Sequence, residues 1–213
     1  MDDGMQVVGS HDELRELLGE PQPRVAHKDR PVLDEVDRQW LAASPFCLVA
    51  TSGADGSCDV SPRGDPAGFV RVLDDRTVAI PERPGNKRAD GLRNILENPH
   101  VGLLHVVPGR ADTLRINGRA RLVRDAPFLD DMVVRGHRPV LAVVVDVEQV
   151  FFHCAKAFLR SHLWEPATWE GPEQASLPSR ARIAQRLERP DEALEDLERY
   201  YGPAYAEGLY RAT

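Results

Sequence analysis

The chain has 213 residues, of which 42% are hydrophobic and 29% are charged, and its formal net charge is -7. This composition is typical of a soluble globular protein, and it excludes a disordered chain, a collagen-like repeat and a small disulfide scaffold. The acidic balance argues against nucleic acid as a partner, because a phosphate backbone requires dense positive charge.

The cysteines and the hydropathy of the sequence predict the cellular compartment of the protein. The three cysteines form no CxxC pair, which favours reduced thiols in a cytoplasmic protein. The acidic N-terminus is unlike a signal peptide. The longest apolar run, residues 140–145, is far shorter than the ~20 residues that span a bilayer. We therefore expect a cytoplasmic protein that does not interact with membranes.

The first part of the chain favours two helices. Residues 10–19 begin with the potential cap Ser10, carry leucines at helical spacing and end in glycine. Residues 34–43 begin at Asp34 and stop before a Ser-Pro pair. A connector rich in proline and charge separates the two segments.

The pattern then changes to strands. Short apolar or alternating runs, several joined by turn residues, occupy residues 46–53, 57–62, 69–73, 77–81, 101–107, 112–125 and 140–154. Helical segments at 86–98 and about 127–134 interrupt them. Six or seven strands with few helices predict a mainly β fold, a closed or nearly closed antiparallel barrel with flanking helices.

The end of the chain is again helical in pattern. We divide the sequence into an N-terminal helix and connector (1–30), a barrel domain (31–165) and a helical C-terminal extension (166–213). All four tyrosines lie in the extension, between Tyr200 and Tyr210, and they favour packing on the barrel or on a partner subunit.

Several common sites have no motif in the sequence. No GxGxxG follows a strand, and there is no GxxxxGKS/T loop, GxSxG elbow or HExxH pair. The seven histidines are scattered, so we predict no metal site.

Two segments carry donors that suit a phosphate group. Ser61 and Arg63 are two residues apart on a predicted strand and therefore share a face. Asn86 is a candidate cap of the helix at 86–98, which would place Lys87 and Arg88 in its first turn. Cations are disfavoured at that end of the helix dipole, so their presence indicates an anion that offsets the cost.

A third segment, the alternating strand at 112–125, adds donors on its polar face. That face offers Thr113 and Arg115, while the other face is apolar. Each of these segments on its own is more typical of an ordinary surface strand or turn than of a binding site. Their combination is what indicates a phosphate site.

The order of these segments resembles the pyridoxamine 5'-phosphate oxidase-like, FMN-binding split-barrel superfamily, and within it an uncharacterised bacterial branch of FMN-dependent enzymes. The likeness covers about residues 30–170 and is carried by SPF at 44–46, SPRGDPAGFV at 61–70, PGNKRADGLRNILENP at 84–99, TLRINGRARL at 113–122 and FHCAKAFLRSHLW at 152–164.

The resemblance implies a six-stranded antiparallel split barrel that forms a homodimer, with FMN in clefts between the protomers. It implies that Arg63 contacts the ribityl-phosphate end of FMN and that the 86–88 turn clamps the phosphate. Ile80 and Pro81 would border the flavin ring. The full set of expected cofactor residues is Ser61, Arg63, Ile80, Pro81, Asn86, Lys87, Arg88, Thr113, Lys156, Arg160 and Trp164.

The last three residues of that set match a family segment that reaches the cofactor from the other subunit. Lys156 or Arg160 would stabilise the reduced flavin near N1 and C2=O, and they are the candidate catalytic residues. The implied function is an FMN-dependent oxidoreductase that transfers hydride at flavin N5 to or from a small molecule. Because residues 166–213 replace the short C-terminal strand of true pyridoxamine-phosphate oxidases, oxidation of vitamin B6 is not predicted.

The same residues are compatible with two alternatives. One is a non-catalytic flavin-binding protein that uses the same phosphate cradle. The other is a barrel that holds a deazaflavin, which keeps the phosphate, or haem, for which His105, His153 or His162 would be the candidate ligand.

Overall fold

The structure is a computed structural model that describes residues 4–210, apart from the side chain of Glu173. Its strands are β1 (Phe46–Ser52), β2 (Cys58–Gly64), β3 (Arg71–Val72), β4 (Thr77–Pro81), β5 (His100–Val106), β6 (Thr113–Val123) and β7 (Ala142–His153). They form one sheet in the order β2-β1-β5-β6-β7-β4-β3, and every pairing is antiparallel. The predicted mainly β fold is confirmed, with seven strands in place of six because the two-residue β3 extends one edge.

The helices flank this sheet. They are α1 (His11–Leu18), α2 (Pro23–Ala26), α3 (Glu35–Ala43), α4 (Asp90–Glu97), α5 (Lys156–Ser161), α6 (Pro172–Ala175), α7 (Arg180–Leu187), α8 (Leu194–Tyr200) and α9 (Pro203–Glu207). Short 3₁₀ turns cover Pro127–Met132 and Pro166–Thr168. None of these helices between residues 4 and 210 is long and apolar enough to cross a membrane.

The two predicted N-terminal helices are confirmed, together with their caps. The Ser10 side chain accepts a hydrogen bond from the backbone N–H of Glu13 at the start of α1. Asp34 caps α3, and the Asp37 carboxylate accepts a hydrogen bond from the Asp34 backbone N–H to complete a capping box. Asp37 is fully buried and also pairs with Arg30, which ties the connector to α3. The Arg30 backbone in turn pairs with Val150 of β7.

The two longest strands, β6 and β7, run side by side through the centre of the sheet. Along β6 the apolar residues face the core and the arginines face outward, as predicted. The pairing shifts by one residue at Gly118, where a Cβ atom would lie 2.0 Å from the carbonyl oxygen of Asp146. Only glycine permits this approach, and the resulting bulge bends the sheet around its core.

One row of cross-strand neighbours runs across the inside of the sheet. Arg63, Cys47, His105, Leu114 and Phe152 are directly paired from β2 to β7 and therefore share a face. Cys47, His105 and Leu114 are completely buried, and burial raises the pKa of the Cys47 thiol to about 12. Arg63 lies at the end of this row, where the buried interior opens at the edge of the sheet.

The C-terminal extension is helical between residues 166 and 210, as predicted. Helices α7 and α8 pack on each other through Ala181, Ala184 and Leu197. Residues 1–3 and 211–213, which complete the predicted first and last segments, lie outside the described residues.

Candidate functional site

A cavity of about 890 Å³ opens beside the end of β2. Its walls come from Asp59 and residues 61–64 of β2, from Phe69, from residues 81–92 leading into α4, from residues 137–141 before β7, and from Tyr210. Five parts of the chain therefore meet at one concave surface. Its volume lies within the ~300–1,000 Å³ of clefts that bind small molecules.

Strand β2 supplies one wall. Its residues alternate between exposed and half-buried, which places Asp59, Ser61 and Arg63 on the same face. Arg63 pairs with Glu82, and both side chains are about one-fifth exposed. Burial raises the pKa of Glu82, while Arg63 opposes that rise. The predicted sharing of a face by Ser61 and Arg63 is confirmed, and the guanidinium is held at the cavity by a carboxylate.

The turn before α4 supplies the opposite wall, and it corrects the sequence prediction. Helix α4 begins at Asp90 rather than at residue 86, so Asn86 is not its cap. The reason is backbone conformation. Lys87 (φ 61°) and Ala89 (φ 58°) lie in the left-handed region, so a right-handed helix cannot begin before Asp90. Asn86 instead closes a local turn by accepting a hydrogen bond of 3.1 Å from the backbone N–H of Arg88.

The late start of α4 changes the electrostatic environment of this turn. Lys87 and Arg88 precede the helix, so they do not oppose its dipole from within the first turn. Arg88 pairs with Asp90 at 2.7 Å, and this hydrogen bond raises the pKa of the guanidinium. Non-glycine residues at positive φ cost ~1–3 kcal/mol each and are concentrated at ligand sites. The local feature that favours a binding role is therefore the positive φ of Lys87 and Ala89 and not the helix dipole.

Helix α4 lies unusually close to β2. A Cβ atom on Gly91 would lie 2.9 Å from Oδ2 of Asp59 and 3.3 Å from Oγ1 of Thr51. Because glycine has no side chain, the first turn of α4 packs directly against β2 beside Ser61. This contact sets the distance between the two walls of the cavity.

The cavity is cationic on an acidic chain. Among the described residues that line it, five cationic side chains face three carboxylates, namely Arg63, Arg83, Lys87, Arg88 and Arg138 against Asp59, Glu82 and Asp90. The chain as a whole carries a net charge of -7. The lining therefore carries a formal excess of two positive charges, which favours an anionic ligand. Asp65 and Asp130, the partners of Arg83 and Arg138, offset this excess from outside the lining.

A second polar cluster adjoins the first. Asp65 follows Arg63 by two residues, and its side chain is 1% exposed. It pairs with Arg83 at 2.6 Å and accepts a hydrogen bond from the hydroxyl of Tyr210. Arg83 also donates to the carbonyl oxygen of Met132 at 2.7 Å. These bonds fix the floor of the cavity between β2 and the segment before β7.

The structure brings together only part of the predicted residue set. Of the expected cofactor residues, those that line the cavity are Ser61, Arg63, Pro81, Asn86, Lys87 and Arg88. Ile80 is buried in the core next to Pro81. Thr113, predicted on the polar face of its strand, is instead buried at the end of β6, where it pairs with His153 of β7.

The C-terminal part of the predicted set lies elsewhere in the protomer. Lys156 and Arg160 are exposed on α5. Trp164 stacks on Phe158, and its indole N–H donates to the carbonyl oxygen of Arg110 at 2.8 Å. None of the three lines the cavity of its own chain.

The histidines considered as haem ligands are also outside this cavity. His105 is buried in the core, and His153 and His162 do not line the cavity. The lining includes a different histidine, His137. Among the described residues, no group of three or more His, Cys, Asp or Glu side chains is arranged to hold a metal ion.

Sequence reasoning missed several residues that complete the cavity, among them Glu82, Arg83, His137, Arg138 and Tyr210. Arg83 and Glu82 adjoin the basic turn in sequence, so the density of charge there was a usable signal. His137 and Tyr210 reach the cavity only through the tertiary fold, and no local pattern marks them.

Comparison with known proteins identifies the family. The family model described as pyridoxamine 5'-phosphate oxidase matches residues 33–154, which is more than half of the chain. The chain belongs to the pyridoxamine 5'-phosphate oxidase family. Its matched region contains the whole sheet and every cavity wall except Tyr210. No curated protein matches the sequence.

Solved structures with a similar fold come from several bacteria. HupZ of Group A Streptococcus is 18% identical, with a TM-score of 0.46, and the match covers 56% of this chain and 93% of HupZ. An FMN-binding protein of Syntrophomonas wolfei is 9% identical, with a TM-score of 0.41 and coverage of 56% and 89%. The heme storage protein HutZ of Vibrio cholerae is 14% identical, with a TM-score of 0.40 and coverage of 57% and 93%.

Proposed function

We propose that this member of the pyridoxamine 5'-phosphate oxidase family binds FMN in the cavity and acts as an oxidoreductase on a small molecule. The observation that supports this most directly is the convergence of the β2 end and the 86–88 turn on one cationic cavity. Membership of the family supports the identity of the cofactor.

The residues present fit a phosphate monoester. Ser61 offers a hydroxyl, and Arg63 and Arg88 offer guanidinium groups whose planar geometry suits phosphate oxygens. Lys87 adds an ammonium group from the same turn. The left-handed residues at 87 and 89 orient backbone N–H groups differently from a regular helix, as in the turns that commonly bind anions. These residues would hold the phosphate end of FMN.

The chain's own residues would also position the rest of the ligand. Glu82 holds Arg63 in place through their ion pair. The Arg63 side chain therefore loses less conformational entropy when a ligand binds. Pro81 supplies a buried apolar surface at the end of β4. When bound, FMN supplies hydride transfer at N5, so no protein nucleophile is required.

We also propose a homodimer in which α5 of one protomer approaches the cavity of the other. Leu159 and Leu163 are 62% and 47% exposed, next to the exposed cations Lys156 and Arg160. A surface of exposed leucines flanked by cations suits an interface that also faces an anionic ligand. Sedimentation of the purified protein tests the dimer, and a monomer at micromolar concentration would contradict it.

The cofactor is tested by purifying the native protein, recording its absorption spectrum and measuring the mass of the compound released on denaturation. FMN is expected. A released deazaflavin or haem would contradict the FMN assignment, as would failure of the purified protein to bind added FMN. Anaerobic photoreduction followed by candidate electron acceptors then tests catalysis, because a flavin that no acceptor reoxidises faster than free FMN would indicate a binding protein.

A further inference from the structure

The C-terminal segment of the chain contributes a wall of the cavity. After α9 the chain runs back to the barrel, and Tyr210 lines the same cavity as Arg63. Tyr210 lies outside the region that matches the family model, which ends at residue 154. This wall is therefore a feature of the extension and not of the matched domain.

Tyr210 is held by contacts of several kinds. Its hydroxyl donates to Oδ1 of the buried Asp65. Its ring stacks on the imidazole of His137, with 6.2 Å between the centroids and 18° between the planes. The guanidinium groups of Arg83 and Arg135 each lie 5.6 Å from the ring centroid. Burial and the Asp65 carboxylate raise the pKa of the phenol, so the hydroxyl remains a donor at neutral pH.

Asp65, which holds Tyr210, lies next to Arg63, which is proposed to bind the phosphate. Arg63 and Asp65 are two residues apart on one side of the cavity, and their partners Glu82 and Arg83 are consecutive on the other. The ion pair that holds Arg63 and the ion pair that holds Tyr210 are therefore neighbours. Arg63 and the Tyr210 ring therefore line the same cavity from neighbouring anchors.

The segment that carries Tyr210 has little buried anchorage of its own. Helix α9 is five residues long and buries none of them. Tyr205 contacts Tyr200 and Tyr201 within the extension, whereas Tyr210 contacts the barrel. Segments with few buried contacts open at low free-energy cost. Loss of the Tyr210 contacts would therefore release the wall without unfolding the barrel.

We propose that Tyr210 latches the C-terminal segment onto the barrel as an opening wall that controls ligand entry to, and release from, the cavity. The identity of the ligand as FMN rests on the proposed function, but the latch itself does not. The latch is the hydrogen bond to Asp65 together with the stack on His137.

Two substitutions separate the components of the latch. Tyr210→Phe keeps the stacked ring and removes the hydroxyl, whereas Tyr210→Ala removes both. Tyr205→Phe is the matched control, because it removes a tyrosine hydroxyl from the same segment away from the cavity. Circular dichroism of each variant verifies that the barrel is folded.

The first readout is the rate of FMN dissociation, followed by flavin fluorescence in stopped flow. A hydrogen bond to a charged group contributes enough to change such a rate by about tenfold or more. We expect about tenfold faster release from Tyr210→Phe, still faster release from Tyr210→Ala, and no change in Tyr205→Phe.

The second readout needs no cofactor. With the exposed Cys58 and Cys154 replaced by serine, a Ser61→Cys substitution reports access to the cavity through its rate of reaction with a thiol reagent. We expect labelling of the cofactor-free protein to accelerate at least fivefold when Tyr210→Ala is added. Unchanged labelling would overturn the latch even if FMN binds. Accelerated labelling, together with a protein with the native Ser61 that binds no FMN, would support the latch and overturn the proposed function.

Discussion

His105 provides a test of the barrel interior through the effect of pH on stability. The imidazole is completely buried, and within residues 4–210 neither ring nitrogen has a hydrogen-bond partner. Burial lowers the pKa of His105 from its ordinary 6.5 to about 4. The folded protein therefore keeps the ring neutral at pH values at which the unfolded chain binds a proton.

The magnitude follows from these two pKa values. Because the pKa is depressed on folding, the free energy of unfolding is unaffected above pH 6.5 and falls as the pH drops from 6.5 to 4. At ~1.36 kcal/mol per pKa unit, lowering the pH from 7 to 5 costs about 2 kcal/mol through this residue alone. Substitution of His105 by leucine removes this contribution and two unpartnered polar atoms at similar volume.

The assay is urea unfolding of wild type and His105→Leu at pH 7 and pH 5. Leaving a buried polar group unpaired costs ~1–3 kcal/mol, so we expect the variant to be more stable at pH 7 by about that amount. We expect its advantage to grow by about 2 kcal/mol at pH 5. His11→Leu, an exposed position on α1, is the control and should change stability by less than ~0.5 kcal/mol.

One result would refute this reasoning. A variant that is less stable at pH 7 and shows the same pH dependence as wild type would mean that a buried water or another donor satisfies the ring. The depressed pKa would then have no structural basis.

Two further predictions concern the β6 bulge and Arg160. Gly118→Ala should destabilise the protein by about 1–3 kcal/mol or more in urea unfolding, because the new methyl group would lie 2.0 Å from the backbone carbonyl oxygen of Asp146. Gly85→Ala, which meets no atom closer than 4.0 Å, is the control, and equal stability of the two variants would contradict the close approach of β6 and β7. Arg160→Ala should slow flavin reoxidation by the identified acceptor more than it weakens FMN binding, and Arg186→Ala, at another exposed arginine, is the control. A larger effect on FMN binding than on reoxidation would reassign Arg160 to the phosphate or the interface.

The strands and most helices could be predicted because their signals are local. The alternation along β6 and the Asp34 cap of α3 both depend on residues within a few positions of each other. The start of α4 was predicted wrongly because Lys87 and Ala89 are ordinary helix formers by composition, and only the tertiary fold places them at positive φ.

In the site, too, local features could be predicted from the sequence, whereas contacts between distant segments could not. Ser61 and Arg63 share a face for a reason that strand geometry alone provides. The pairing of Arg63 with Glu82, rather than with its sequence neighbour Asp65, depends on how the β2 end meets the β4 end. Tyr210 reaches Asp65 through a contact across 145 positions, and no sequence periodicity reports such a contact.

We propose that Arg63, Lys87 and Arg88 form the site for the phosphate dianion of FMN. FMN and riboflavin differ only by that phosphate, so their affinities for the cofactor-free protein, measured by flavin fluorescence titration, isolate its contribution.

Several charge-assisted hydrogen bonds, each ~1.5–3 kcal/mol, predict that wild type binds FMN at least about 100-fold more tightly than riboflavin. The Lys87→Ala/Arg88→Ala variant should reduce that ratio to about tenfold or less, whereas the control Arg93→Ala, exposed on α4, should preserve it. Equal affinity of wild type for FMN and riboflavin, or an unchanged ratio in the double variant, would contradict the claim.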